Sequence, residues 1–155
     1  MIFLLIPFIY ITTIWTLLKE KKVLKTGRSL NSKEKEIGEI LKINDLTKIR
    51  ILAVSEITHP LSWVFSFLSL FTKSILSAPV GLTLGNAILV EKKHETNLHL
   101  IAHELVHVKQ YEDLGGHIPF LKKYIYQCLK YGYKNSPLEM EAEEFSNNLF
   151  NQGLV

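Results

Sequence analysis

Cysteine is almost absent: Cys128 stands alone, so no disulfide can close within the chain and stability must come from a packed core. The missing cysteine framework fits a reducing compartment. Cys128 falls in a helix-like run, where a buried structural thiol is expected rather than a nucleophile. An excess of either charge is also lacking. Eighteen Lys and Arg against 15 Asp and Glu leave +3, and no aromatic-and-basic stripe is present, which argues against a nucleic-acid partner. No low-complexity tract or internal repeat interrupts the 155 residues, so one small domain with a single core is expected.

The N-terminal apolar run lacks the preceding basic residues and the small-residue cleavage site of a secretory signal. From Ile2 to Leu18 it carries no charged side chain, and Lys19, Lys21, Lys22, Lys25 and Arg28 follow. That length just suffices to cross a bilayer. By the positive-inside rule the basic cluster and the domain after it stay cytoplasmic. Residues 1–18 are therefore predicted as a single-pass transmembrane helix, 19–29 as a basic juxtamembrane linker and 30–155 as the functional domain. The alternative is a buried or interfacial helix of a soluble cytoplasmic domain. A second apolar region, 61–77, is broken by Lys73 and punctuated by serines. It is expected in the core, or as an insertion that rests on a membrane surface or covers a cleft.

What the chain does have is His103-Glu104-Leu105-Val106-His107, an HExxH signature, within a stretch from Asn97 to Leu114 that holds no glycine or proline. Gly115-Gly116 reads as its stop signal and Thr96 as its N-cap. Residues four apart share a helix face, so both imidazoles can reach one cation, while Glu104 lies about 100° round the axis and flanks it. Ile101, Leu105 and Val108, extended by Leu98 and Ala102, form an apolar stripe on the other side. Two neutral nitrogens, an open position for water and an adjacent carboxylate are what catalytic zinc requires. The part still wanting is a third protein ligand.

HExxHxxGxxH is excluded, because Gln110 holds the glycine position and Asp113 the last histidine position. His99 shares the histidine face, but helix rise puts it about 12 Å from His107, so it is read as an outer or partly buried polar residue. Downstream, Ser136-Pro137 reads as N-cap and first helical residue, with Leu138, Ala142, Phe145 and Leu149 on one face and Glu139 and Glu143 on its flank. In a metal-site reading Glu139 is the third ligand, and Glu143 accepts a hydrogen bond from the non-ligating nitrogen of a metal-bound histidine. In the competing reading Ser136 and Glu139 form a capping box on a solvated acidic face.

His103-Glu-Leu-Val-His-Val-Lys-Gln110 followed by Asn135-Ser-Pro-Leu-Glu-Met-Glu-Ala142 resembles the small bacterial gluzincin-type proteins, which carry an HELxHVxQ helix and an ExEA helix. The resemblance covers roughly Leu30 to Phe150. It implies a zincin-like α+β domain with a short sheet, an HExxH helix and a C-terminal glutamate helix, behind the N-terminal hydrophobic helix. It also implies Zn2+ held by His103, His107 and Glu139, with a peptide or protein as substrate. Relatives often carry aspartate where Glu143 stands. The segments 49–54 and 83–90 resemble the strands before the zinc helix, and 83–90 is the expected platform on which substrate adds as a strand. The remaining order is an amphipathic helix over about 32–42, with Ile37, Ile40 and Leu41 inward, and a middle helix over about 119–131.

The expected chemistry is metal-assisted peptide hydrolysis with Glu104 as general base. A further donor to the oxyanion is sought among Tyr133, Tyr131 and His117, with Tyr133 the first choice. Two other classes compete. One is a zinc-stapled pseudoenzyme or interaction module; the other is a membrane-associated scaffold in which HExxH is coincidence.

Overall fold

The computed structural model describes residues 2–57 and 79–153, with side chains from Pro7 onward. Helix α1 (Ile2–Thr26) leads into α2 (Ser32–Ile40), then strand β1 (Arg50–Val54). After the predicted insertion at 61–77, which lies outside the described residues, come β2 (Gly81–Leu84) and β3 (Ala87–Glu91). Three helices finish the chain: α3 (Leu98–Asp113), α4 (His117–Tyr131) and α5 (Pro137–Asn151). The architecture is α+β, with five helices and a three-stranded sheet among the described residues.

The sheet order is β1-β3-β2, β3 running parallel to β1 and antiparallel to β2. Its centre is Ala87-Ile-Leu-Val90, a continuous apolar run, as a strand covered on both faces should be. Ile88 and Val90 face one way, into a core shared with Ile37, Ile49, Ile51, Ile101, Leu105 and Val108. Ala87 and Leu89 face the other way, against Val23 of α1. A fully buried Ile or Leu in such a layer contributes about 1.5–3 kcal/mol. The expected strand at 83–90 is two strands, because Gly85 takes φ +65° and turns the chain between Leu84 and Ala87. Of these two strands β2 is an edge and β3 is central. The outer edge of β1 is partly taken by a bridge from Arg28 to Ile51, and Arg28 in turn makes a bidentate pair with the buried Glu34.

The expected inward set of α2 is corrected at one position. Ile37 is buried and Leu41 packs on the core, but Ile40, about 60° round the axis from Ile37 on the side opposite to Leu41, is exposed.

The transmembrane expectation for 1–18 is also corrected. Among the described residues no helix is long and apolar enough to cross a membrane. Instead α1 runs on to Thr26, through most of the expected linker, and lies along the domain by the face carrying Ile9, Thr12, Thr13, Thr16, Glu20 and Val23. Glu20 fixes it there: Oε1 accepts from the Asn86 backbone N–H at 2.7 Å, and Oε2 stands 3.1 Å from His117 Nε2. A Cβ at Gly85 would run into both Glu20 and His117, so the turn glycine also makes room for this anchor.

Candidate metal centre

Helix α3 begins at an Asn97 cap, one residue after the expected Thr96; the Asn97 side chain accepts the Leu100 N–H. It stops as predicted at the glycine pair. Gly116 N–H reaches Tyr111 O and Gly115 N–H reaches Glu112 O, the two bonds of a Schellman ending, with both glycines at positive φ. Helix α5 starts at Pro137, but Ser136 makes no side-chain cap bond. Its hydroxyl turns to Gln127 of α4, whose Oε1 also accepts the Leu138 N–H. The capping-box alternative for Glu139 is therefore not formed.

Glu139 is turned instead toward α3. Its Oε2 lies 3.4 Å from His103 Nε2 and its Oε1 3.4 Å from His107 Nε2, and the two imidazoles meet edge to face at 4.9 Å. One ligand atom from each of the three residues falls within 4.8 Å of the others. Bonds of the length zinc makes to nitrogen and oxygen put tetrahedral ligand atoms about 3.3 Å apart, so these separations fit a metal held by all three. His107 and Glu139 are buried and His103 is partly so.

The electrostatics follow from that closeness. Burial works against a charged His107, but the Glu139 carboxylate outweighs it and lifts the imidazole to about 9. Burial likewise opposes charge on Glu139, but hydrogen bonds from His103 and His107 hold it well below the usual carboxylate range. A divalent metal must then displace a proton from His107. Its apparent affinity should rise about tenfold per pH unit up to about pH 9 and level off above it. Competition with a chromophoric chelator across pH checks this; a flat profile through neutrality would contradict it. For metal-free protein the sign is opposite: the raised His107 contributes stability that is full below about 6.5 and is lost as pH rises through about 9.

Two residues that the sequence reading did not assign hold His107 and Glu139 in place. Gln110 Oε1 accepts from His107 Nδ1 at 2.8 Å, while its amide donates to Leu138 O at 3.0 Å and Glu141 Oε2 at 2.8 Å. That bond keeps the Nδ1 proton in place and directs Nε2 at Glu139, and the same side chain ties α3 to the start of α5. Tyr124 donates to Glu139 Oε1 at 2.6 Å. Burial, then the nearby Glu139 charge, push this phenol far above its ordinary value, so it remains a donor. The glutamine was visible as the residue that broke HExxHxxG and as the last letter of the HELxHVxQ resemblance, without a role. Replacing it by leucine should weaken metal binding about 10–100-fold while the fold persists. Isothermal titration of the variant tests this, and an unchanged affinity would remove Gln110 from the site.

Glu104 stands apart from the three clustered residues. It is buried, and the Thr83 hydroxyl donates to its Oε2 at 2.6 Å, with the Glu104 carbonyl oxygen 3.0 Å away as a second acceptor. Gly81 passes so close that a Cβ there would strike Oε1. The general-base candidate is thus pressed against the edge strand by residues 21 and 23 positions upstream.

Glu143 is largely exposed; its Oε2 faces His103 Nδ1 at 3.7 Å, beyond a hydrogen bond, and its Oε1 accepts from Asn147. His99 is partly buried, bonded to Asn147, and outside the cluster. Tyr133 is partly buried, and burial, then the Glu139 and Glu104 charges, raise its phenol strongly. Tyr131 is exposed with Lys130 over its ring, and His117 is engaged with Glu20 and Tyr111. Cys128 is buried, with its thiol pushed up to about 12, an inert state.

No family model, curated protein or solved structure matches this chain.

Proposed function

We propose that this chain is a zinc-dependent peptidase with a zincin-like domain, its metal held by His103, His107 and Glu139 in the manner of the gluzincins. The observation that carries the reading is the separate placement of Glu104. A purely structural metal site closes with protein ligands and has no use for a further buried carboxylate at its side. Here that carboxylate is retained, hydrogen-bonded to Thr83 and bordered by a glycine.

When bound, zinc supplies Lewis acidity that makes hydroxide accessible near neutral pH. The chain's own residues do the rest. Glu104 takes the proton of the attacking water and returns it to the leaving amine, and Thr83 holds its carboxylate in place. Tyr133 donates to the developing oxyanion. Gln110 and Tyr124 keep His107 and Glu139 aimed at a common point. Among the described residues no strand pairs with the outer edge of β2, so an extended peptide adds there, beside Gly81 and Glu104.

The test is chelation and reconstitution. Purified protein stripped with a chelator should leave a mixed peptide library intact, and one equivalent of zinc should restore cleavage read by mass spectrometry. Stoichiometric zinc binding with every peptide left uncut would refute the reading.

A further inference from the structure

Helix α1 is inside-out in its middle turns. The side laid on the domain carries Thr12, Thr13, Thr16 and Glu20, whereas the side facing outward carries Tyr10, Ile11, Ile14, Leu17 and Leu18. Ile11 and Ile14 are each 59% exposed and Leu18 is 65% exposed. A helix packed on a domain in water should show the reverse, with its apolar face inward. The polar inner face is tolerated because its groups are satisfied: Thr13 and Thr16 donate to the carbonyls of Ile9 and Thr12, and Glu20 is bonded to Asn86. Nothing comparable accounts for the outer face.

The outer face changes character along its length. At 100° per residue Ile11, Ile14, Leu18, Lys21, Lys22 and Lys25 all fall within an arc of about 100°. The first three are apolar and the last three are exposed lysines. The single acid of α1, Glu20, is on the buried side.

We propose that this face seats the protein on an anionic lipid surface. The isoleucine and leucine side chains enter the acyl region, and Lys21, Lys22 and Lys25 meet the phosphate groups. The helix lies obliquely, its earlier turns deeper than its last, and does not cross. Charge selects lipid over a second copy of this chain. A parallel pairing of two such faces opposes lysines to lysines, and an antiparallel pairing buries them against leucine and isoleucine; acidic headgroups satisfy all three. This attachment is independent of the peptidase reading, since none of these residues belongs to the metal centre.

The experiment is co-sedimentation of the full chain with phosphatidylcholine vesicles, with and without about 30% phosphatidylglycerol. The expected result is pelleting with the anionic vesicles that weakens with salt. Replacing Lys21, Lys22 and Lys25 together by alanine should lower partitioning about a hundredfold, at about fivefold per lysine. Ile14→Glu with Leu18→Glu should abolish it while circular dichroism and metal content stay unchanged. Should that pair fail to fold, a Leu18→Cys variant labelled with an environment-sensitive dye should show a blue shift only with anionic vesicles, Cys128 being buried and poorly reactive. No pelleting of the unaltered chain, pelleting indifferent to the lysines, or a dimer in sedimentation that Ile14→Glu with Leu18→Glu dissolves without any vesicle binding would each overturn it.

Discussion

Glu104→Gln should keep its zinc and lose peptide hydrolysis by about 10²–10⁴-fold, the range that a positioned general base supplies. The substitution is nearly isosteric, and its amide oxygen can still accept the Thr83 hydroxyl, so neither the edge strand nor α3 is disturbed. The three residues that converge on one point, His103, His107 and Glu139, are untouched. What is removed is the ability to accept a proton. Metal content by mass spectrometry, thermal midpoint and turnover of a cleaved peptide are measured together. Equal turnover would show that the proton goes elsewhere, and loss of zinc together with turnover would show that Glu104 is a ligand rather than a base.

The parts of this site written in local spacing were legible from the chain. The histidines four apart and the apolar stripe of Ile101, Leu105 and Val108 lie within one helix, with the glycine pair just past its end, and α3 and its burial follow those signals. Glu139 was legible only as one turn into a helix with a clear proline start; its approach to the two histidines, a contact between separate elements, was an expectation from the resemblance. The site's remaining partners were not legible. Thr83 reaches Glu104 across 21 residues and Gln110 reaches Leu138 across 28, and no periodicity encodes a contact between separate elements. Helix α1 misled for a different reason. Its uncharged letters match a membrane span, because threonines that donate to the carbonyl four residues back cost little in any buried setting. The distinction between a helix that crosses a bilayer and one laid on a domain came from Glu20 and its partners Asn86 and His117, both far along the chain.

Glu139→Ala should lower zinc affinity by more than about a hundredfold, beyond what losing an outer hydrogen-bonding partner costs, because a direct ligand is gone. Two imidazoles remain, and His107 loses the carboxylate that does most to raise it against burial. The Tyr124 hydroxyl, which donates to Glu139 Oε1 at 2.6 Å, is left without that acceptor, a loss of about 1–3 kcal/mol. The alanine variant is therefore less stable than the parent even when both are free of metal. Glu139→Gln separates the two effects: its side-chain oxygen restores an acceptor for Tyr124, so much of the stability returns, while the neutral amide remains a poor ligand. A residue serving only as a helix cap behaves otherwise, costing about 0.5–2 kcal/mol on replacement by alanine and leaving zinc binding as it was. Titration of all three proteins with zinc, beside their metal-free unfolding midpoints, distinguishes these outcomes, and a Glu139→Ala protein that binds zinc as tightly as its parent would end the three-ligand assignment.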